Sequence, residues 1–498
     1  MELGQKGSNR PNSISPGKLT KTDLLQAREK LSAGGPEYWR SLEELVQDPE
    51  FRERVHREFP KGASEWLPSL SRRDFLGLMA ASLALAGMTG CVKQPLEQIV
   101  PYVTQPDEIV PGKAKFYATA MTFAGYAIPL MVESHMGRPT KIEGNPEHPA
   151  SLGGSDVFSQ ASILDLYDPD RSQTVTYEGQ TSSWFSFIGA ILPTLLANPD
   201  QQIRFLTQSV SSPTLQSQLQ SLLGKHHNAR WHQWEPVNRD FVRAGSLLAF
   251  GEYVETQYKF EKADVILSLD ADFLYPTFPG FHRYTREWAN RRRPDPEQRP
   301  FADVSGNLFA AYPMNRLYAL ESTPTVTGAK AEHRLKSRPT DISRYFRAIC
   351  SRLGVNAGAA SIDNGHDEEM LGAIVADLKA HRGTSLVIAG DSMPAEVHAL
   401  AHALNEMLGN VGQTVIYTDP VIATPVDQTT SIQELAAEMR AGQVDVLVIL
   451  GGNPAYDAPA DLDFADALRR VPASIHHGLH INETAAVCKW HINATHYL

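Results

Sequence analysis

The chain of 498 residues is long enough for two or three domains, each with its own core. Its hydrophobic fraction of 42% and charged fraction of 21% are ordinary for a globular protein. Its formal net charge of −11 argues against a nucleic-acid partner, because an acidic surface repels phosphate backbones. No apolar run reaches the roughly 20 residues that a bilayer-spanning helix needs. The longest candidate is 75–88.

The three cysteines, Cys91, Cys350 and Cys488, limit the metal chemistry of the chain. An iron–sulfur cluster usually takes four thiolates, several of them from one short motif, and a cysteine-only zinc site also takes four. The sequence therefore predicts neither site on this chain alone. It leaves open a disulfide between Cys350 and Cys488, should the fold bring them together.

Residues 1–68 are predicted to form an extended amino-terminal region. The stretch 1–21 is rich in Ser, Pro, Gly, Asn and Lys, a composition typical of disorder. The stretches 38–46 and 49–59 carry apolar residues at helical spacing and predict short helices. We expect these helices to dock on a partner or on the export machinery.

Residues 69–91 have the layout of a twin-arginine export signal. Arg72 and Arg73 stand just before Phe75, Leu76 and a modestly apolar segment rich in Gly and Ala. The alternative is a short buried helix that follows an exposed arginine pair. Small residues precede Cys91, as in a lipoprotein cleavage site, so Cys91 is predicted to be lipidated; a buried free thiol is the alternative.

Residues 92–175 are predicted to form a small β-rich module. The stretch 95–111 is rich in proline and is typical of a surface linker. Strands are predicted over 115–121 and 127–133, and the latter continues into a hairpin over 130–144 with Gly137 and Pro139 in its turn.

The remainder alternates between strand and helix patterns, which predicts doubly wound parallel sheets in a first α/β domain, 176–383, and a second, 384–498, which we expect to be truncated. The predicted strands are 201–208, 263–270, 315–322, 385–390, 414–418 and 444–454, and the predicted helices include 214–223 and 395–408. The glycine-rich strand ends at 389–391 and 450–454 stand where such sheets bind nucleotides. They are equally typical of structural turns, because a tight turn often needs glycine.

Potential metal ligands are densest near the end of the chain. They are His476, His477, His480, Glu483, Cys488, His491 and His496. Nitrogen and sulfur ligands at this density could hold zinc, but a strand after Ile475 would direct neighbouring side chains to opposite faces. We therefore favour packed or surface histidines over a metal site.

Two further groups of residues have both a structural and a functional interpretation. Trp231, His232 and Trp234 are suited to a ligand cleft, although aromatic residues more often pack in a core. The basic run 291–293 is typical of a solvated loop and could also dock on an acidic partner. No spacing indicates a catalytic residue.

The module at 92–175 resembles the amino-terminal module of molybdopterin oxidoreductases. The resemblance rests on the stretches GRPTKIEGNPEHP at 137–149 and LYDPDR at 166–171. In catalytic members, a cluster-binding cysteine motif precedes the hairpin, and a further cysteine follows the His-Pro turn. Here those places hold ATAMTFAGY at 118–126 and GGSDVFSQA at 153–161, without cysteine. The resemblance therefore implies this scaffold without its cluster.

The resemblance extends along nearly the whole chain. The chain is similar to the amino-terminal half of the B subunit of alternative complex III, a quinol-oxidising respiratory complex. The matching stretches are 229–236, 321–330, 396–404 and 483–491, together with the extended region before the export signal. In that family the carboxy-terminal half carries ferredoxin-like cysteines. We expect 4Fe-4S clusters on such a part, outside this chain, or on a partner, and no cofactor on the chain itself.

This resemblance implies a non-catalytic scaffold subunit on the periplasmic side of the inner membrane, where lipidation at Cys91 would anchor it. The expected partners are iron–sulfur, haem c and integral-membrane subunits, together with the twin-arginine export machinery. One alternative is a subunit that binds a molybdenum pterin cofactor and works as an enzyme. Another is a stand-alone periplasmic binding protein, which only the α/β pattern supports.

Overall fold

The computed structural model describes residues 109–110, 112–197, 200–293, 314–358, 360, 362 and 365–498. They lie within one compact unit, 105–498. The export and lipidation residues Arg72, Arg73, Phe75, Leu76 and Cys91 lie outside the described residues, as does the extended region 1–68. In the described part of the chain, no helix combines the length and apolar character needed to cross a bilayer.

The amino-terminal module is a three-stranded antiparallel sheet with the strand order β1-β2-β3. Its strands are β1 (Lys115–Phe123), β2 (Tyr126–His135) and β3 (Arg138–Gly144). Leu130 and Ile142 are fully buried in its core, on the inward face that strand alternation creates. The predicted strands and hairpin are present, but Pro139 lies in β3, and the turn is made by Met136 and Gly137 at positive φ.

Seven strands form the largest sheet, in the order β5-β4-β16-β15-β14-β6-β7. Its strands are β4 (Thr176–Tyr177), β5 (Gln180–Thr181), β6 (Ile203–Thr207), β7 (Arg230–Gln233), β14 (Val446–Leu450), β15 (Ala473–Gly478) and β16 (Trp490–Asn493). The five strands from β16 to β7 are parallel, and β4 and β5 add an antiparallel edge.

A second, wholly parallel sheet has four strands in the order β11-β10-β9-β12. They are β9 (Val265–Leu269), β10 (Arg316–Glu321), β11 (His333–Lys336) and β12 (Ser385–Ala389). The inner strand β9 and its neighbour β12 at the sheet edge are buried along their whole length, as expected for strands covered by helices on both faces. A separate antiparallel pair joins β8 (Glu255–Tyr258) to β13 (Val415–Thr418).

Twelve α-helices are present in the described part of the chain. In chain order, α1–α12 are Val157–Tyr167, Trp184–Ala197, Pro213–Lys225, Asp240–Phe250, Phe281–Asn290, Pro339–Leu353, Gly365–Ala380, Ala395–Met407, Gln428–Arg440, Pro454–Asp457, Phe464–Arg469 and Glu483–Val487. Several begin with a side-chain cap: for example, Ser212 caps α3, with Pro213 in its first turn, and Asp427 caps α9.

Both parallel sheets draw strands from both predicted α/β segments, 176–383 and 384–498. In the large sheet β6 pairs with β14, and in the smaller sheet β9 pairs with β12. The boundary at 383/384 therefore does not separate the sheets. Strand pairing depends on the crossover path of the chain, which local periodicity does not specify.

Each parallel sheet has one topological switch point. In the large sheet, β6 leads to β7 on one side, whereas β14 leads to β15 on the other. In the smaller sheet, β9 leads to β10 on one side and its other neighbour is β12. Open α/β sheets bind ligands outside the carboxyl ends of the strands at such points.

The switch point of the smaller sheet is closed by the backbone itself. Asp270, directly after β9, has a positive φ of 53° and accepts hydrogen bonds from the amide and the hydroxyl of Ser322, at 2.9 Å each. Gly390, directly after β12, lies so near that a Cβ there would overlap the carbonyl oxygen of Asp270. The glycine is therefore required by close packing of two strand ends.

We predict that Gly390→Ala destabilises the fold by about 1–3 kcal/mol or more, because backbone atoms cannot move aside as a side chain can. The matched control is Gly372→Ala in α7, where nothing lies within 4 Å of the added methyl group. That change should raise stability by about 0.5–1 kcal/mol through helix propensity. Urea unfolding of both variants measures the difference, and equal stabilities would contradict this packing.

Candidate functional site

The turn between β1 and β2 brings the amino-terminal module to the end of β6. Ala124 and Gly125 make this turn at φ values of 48° and 79°, as a two-residue hairpin turn requires. A Cβ on Gly125 would lie 2.7 Å from the Cβ of Ser209, the second residue after β6. The turn therefore packs directly on a strand end at the switch point of the large sheet.

Next to this turn, three side chains form a network around the Arg239 guanidinium. Tyr126, the first residue of β2, donates from its hydroxyl to Glu255 at 3.0 Å, and Arg239 donates to both of them. Arg239 Nε also donates to Asp391 Oδ1 at 3.1 Å. The network joins the module, the start of α4, the start of β8 and the end of β12.

The network is largely shielded from water. The side chain of Arg239 is 18% exposed, that of Glu255 16% and that of Asp391 26%. Burial alone would lower the pKa of Arg239, but Asp391, Tyr126 and Glu255 raise it well above its usual value. Burial raises the pKa of Tyr126 above its usual value, so this hydroxyl stays protonated and acts as a donor at physiological pH.

Helix α8, which follows Asp391 in the chain, carries two buried histidines, His398 and His402. Burial lowers the pKa of His398 to about 4, and the Nε2 atom of His398 has no hydrogen-bond partner. Burial also lowers the pKa of His402 to about 4, and the His402 Nδ1 atom lies 3.1 Å from the hydroxyl of Tyr417. Both rings are therefore neutral at pH 7, and their burial suits packing better than proton transfer with solvent.

The switch point of the large sheet is also lined by side chains that bond one another. Gln208 lies over the glycine turn after β14, 3.6 Å from the position of a Cβ on Gly451. In that turn, Asn453 accepts from the amide and the hydroxyl of Thr484, and its amide group donates to Glu483 at 2.6 Å. The side-chain oxygen and nitrogen of Asn453 thus both have partners within the chain.

The ligand-rich carboxy-terminal residues do not converge on one point. His476 and His491 face each other with their Nδ1 atoms 3.0 Å apart, and His491 also contacts Ser172 at 2.7 Å. The others have separate surroundings: His477 is exposed, His480 pairs with Asp168, Glu483 bonds Asn453, Cys488 lies in a hydrophobic core and His496 packs on Tyr497. Within the described residues, no group of three or more His, Cys, Asp or Glu side chains is placed to hold a metal ion.

The aromatic stretch on β7 is mainly structural. Trp231 donates to Thr207, and Trp234 donates to Asp457 at 2.8 Å. His232 is buried, with its Nδ1 atom 3.0 Å from the carbonyl oxygen of Ser431. Trp231 and His232 also line a surface groove of about 630 Å³.

The basic run is engaged within the protein rather than fully solvated. Arg291 pairs with Asp264, and Arg292 forms a two-pronged ion pair with Glu332 while it stacks on Trp288. These contacts fix two of the three arginines and leave less charge for an acidic partner.

Among the residues that the structure describes, the cysteines do not fit an iron–sulfur cluster. Cys350 and Cys488 are free thiols buried in two separate hydrophobic cores, so they do not form the disulfide left open by the sequence. Burial raises the pKa of each thiol to about 12, which disfavours the thiolate that a cluster needs. The turn at Gly125 contributes a packing contact with Ser209 and no sulfur ligand.

A dinucleotide-type cofactor also meets obstacles at both switch points. Strand ends are in direct contact at Asp270 and Gly390, and the turn at Gly125 occupies the space over Ser209. The Ser209 hydroxyl is engaged by the buried Glu235 carboxylate at 3.0 Å and by the Gln428 amide at 2.7 Å. The described residues therefore do not offer an open polar cradle there.

Sequence reasoning did not identify the Arg239 network. Its hydrogen bonds join residues 113 and 152 positions apart in the chain. Two of its members lie in stretches that the sequence marks by other features. Tyr126 lies in 118–126, where catalytic members have a cysteine motif, and Asp391 lies in the glycine-rich strand end 389–391. No local pattern links either residue to Arg239 or Glu255.

We predict that Arg239→Met destabilises the protein by about 3 kcal/mol, because it leaves Glu255 and Asp391 without their cation in a poorly hydrated place. Arg352→Met is the matched control, since its ion pair with Glu368 is 32% and 52% exposed; it should cost less than about 1 kcal/mol. Urea unfolding at pH 7 measures both. An equal loss in the free energy of unfolding of the two variants would show that the Arg239 network does not stabilise the fold.

Comparisons with known proteins place this geometry in context. No protein-family model matches the chain. A curated relative, the "menaquinone reductase, molybdopterin-binding-like subunit" of Nitratidesulfovibrio vulgaris, is 22% identical over 465 residues, covering 84% of this chain and 64% of the relative. The chain thus spans less than two thirds of that relative's length.

A solved structure shows the fold. Acetylene hydratase from Pelobacter acetylenicus superposes with a TM-score of 0.53 at 12% identity, over 76% of this chain and 63% of the hydratase chain. The predicted fold class is confirmed: the chain has a molybdopterin-oxidoreductase-like α/β fold with a small β-rich module and parallel sheets.

Proposed function

We propose that this protein is a non-catalytic scaffold subunit of a membrane quinol-oxidising electron-transfer complex, of the alternative complex III type. One observation carries the proposal. Where the sequence resemblance puts the cluster-binding cysteines of catalytic members, this chain has a hairpin turn that packs on Ser209 and a tyrosine that bonds Arg239 and Glu255.

The relative from Nitratidesulfovibrio vulgaris supports the assignment to a complex. That protein is described as a subunit of a menaquinone reductase and as molybdopterin-binding-like. Its similarity runs over 84% of this chain, and so includes more than one of the described sheets. A multisubunit quinone-linked complex is accordingly the assembly that we propose for this chain.

The proposed role is positional rather than chemical. Among the described residues, the polar groups at both switch points mostly bond one another, and the two cysteines are buried apart. In this proposal the redox groups, 4Fe-4S clusters and haem c, belong to partner subunits or to a part beyond this chain. The chain supplies a rigid α/β body on which integral-membrane, iron–sulfur and haem subunits assemble.

We further propose that assembly takes place on the periplasmic side of the inner membrane. Arg72 and Arg73 would direct export, with Phe75 and Leu76 in the apolar part of the signal, and Cys91 would carry the lipid. The twin-arginine route suits a subunit that folds before it crosses the membrane. Mass spectrometry of the exported chain tests this part, because lipidation predicts a mature amino terminus at Cys91.

The functional prediction separates a scaffold from an enzyme. In the purified complex, Gln208→Ala and Glu483→Gln alter side chains at the switch point of the large sheet, and quinol-linked turnover should stay within about twofold of the wild type. Deletion of the whole chain should abolish assembly and turnover. If the switch point held a cofactor, each substitution would remove a contact to it and weaken its binding, since one removed hydrogen bond costs about 0.5–1.5 kcal/mol. A tenfold loss of turnover in a fully assembled variant complex would contradict the scaffold role.

A further inference from the structure

Helix α2 exposes an apolar face that no described residue covers. The helix has 14 residues, WFSFIGAILPTLLA, and none of them is charged. Trp184 is 53% exposed, Phe185 87%, Ile188 39% and Leu192 51%. Phe185, Ile188 and Leu192 follow Trp184 by one, four and eight residues. The four side chains therefore line one side of the helix. Monomeric soluble proteins rarely expose a continuous apolar surface of this kind.

The adjoining side of α2 packs on the large sheet. Ile191 is buried, and Phe187 packs edge-on against Trp490 of β16 with their ring centroids 5.3 Å apart. Trp184 contacts Phe187 at 5.4 Å, and Tyr177 contacts Trp490 at 4.6 Å. The exposed face is therefore held in place by an aromatic row, and Tyr177, itself 41% exposed, extends it.

We propose that this face of α2 lies on the surface of a lipid bilayer, with its apolar side chains in the boundary between headgroups and acyl chains. The inference deepens the proposed function, on which it rests for the presence of a membrane. Tryptophan and tyrosine favour this boundary, where an aromatic ring can be apolar on one side and hydrated on the other. Charged residues, which lipid excludes, are missing from all 14 positions of the helix.

The size of the face favours lipid over a protein partner. The four side chains together expose on the order of 400 Å² of apolar surface, given about 150–250 Å² for a whole aromatic side chain. A stable protein–protein interface buries about 800 Å² on each partner with a complementary shape. A bilayer needs no complementary shape, so each exposed apolar group on a protruding helix contributes.

A second contact of this kind would also complement the proposed lipid at Cys91. One acyl chain gives marginal, reversible binding to membranes, and stable attachment takes two signals. In this proposal α2 is the second signal. It would orient the large sheet with its β4–β5 edge toward the bilayer, since Tyr177 of β4 continues the apolar face.

The test uses the full-length Cys91→Ser chain, so that no acyl chain masks the contribution of α2, with vesicles of neutral phosphatidylcholine. The chain should co-sediment with vesicles, and 0.5 M NaCl should not weaken binding because the contact is apolar. The double variant Phe185→Ser/Ile188→Ser should bind at least tenfold more weakly. The matched control is Val237→Ser/Tyr456→Ser, which removes two apolar side chains that are each 75% exposed on other elements; it should bind like the parent.

Three outcomes would overturn the inference: no binding of the parent chain at millimolar lipid, equal loss in the control, or a double variant that binds vesicles normally but loses a partner subunit. Retention of partners, measured in parallel by pull-down, keeps the two proposals apart. If the partner subunits are retained but the vesicles are not bound, only the proposed role of α2 is rejected. Vesicle binding that depends on Phe185 and Ile188, without any partner subunit, rejects the proposed complex and supports the role of α2.

Discussion

Arg239 is the cation around which three separate parts of the chain are joined. Its guanidinium bonds Tyr126 from the amino-terminal module, Glu255 from β8 and Asp391 at the end of β12. A guanidinium placed between two carboxylates away from water is tolerated only when its donors are matched, since desolvation is otherwise too costly. The position of the module over the large sheet therefore depends on this network, and the packing of Gly125 on Ser209 follows from the same placement.

The turn between β1 and β2 is held against the sheets by contacts within the chain. Hydrogen bonds, an ion pair and a close glycine contact join it to neighbouring elements at the switch point of the large sheet. The close contact of Gly390 with Asp270 does the same at the second switch point. The protein thus combines a molybdopterin-oxidoreductase-like fold with strand ends that mainly serve packing.

Local elements could be predicted because they depend on local chemistry. The stretch 385–390 predicted β12 and 395–408 predicted α8 to within a residue, since an apolar run and a 3.6-residue period are written in adjacent positions. Sheet membership could not be predicted, because β6 and β14 are more than two hundred residues apart in the chain and meet only through the crossover path. The Arg239 network has no local signature for the same reason. The exposed face of α2 was also missed, because an apolar helix pattern does not state which side the core covers.

In the proposed role, this chain positions redox groups and does not carry one. The most direct measurement is elemental analysis for molybdenum, tungsten and iron, first on the complex purified from membranes and then on the chain separated from its partners. If the chain is a scaffold, iron should be present in the complex and none of the three metals in stoichiometric amount on the isolated chain. Stoichiometric molybdenum or tungsten on the isolated chain would contradict it and would make the protein a cofactor-bearing enzyme.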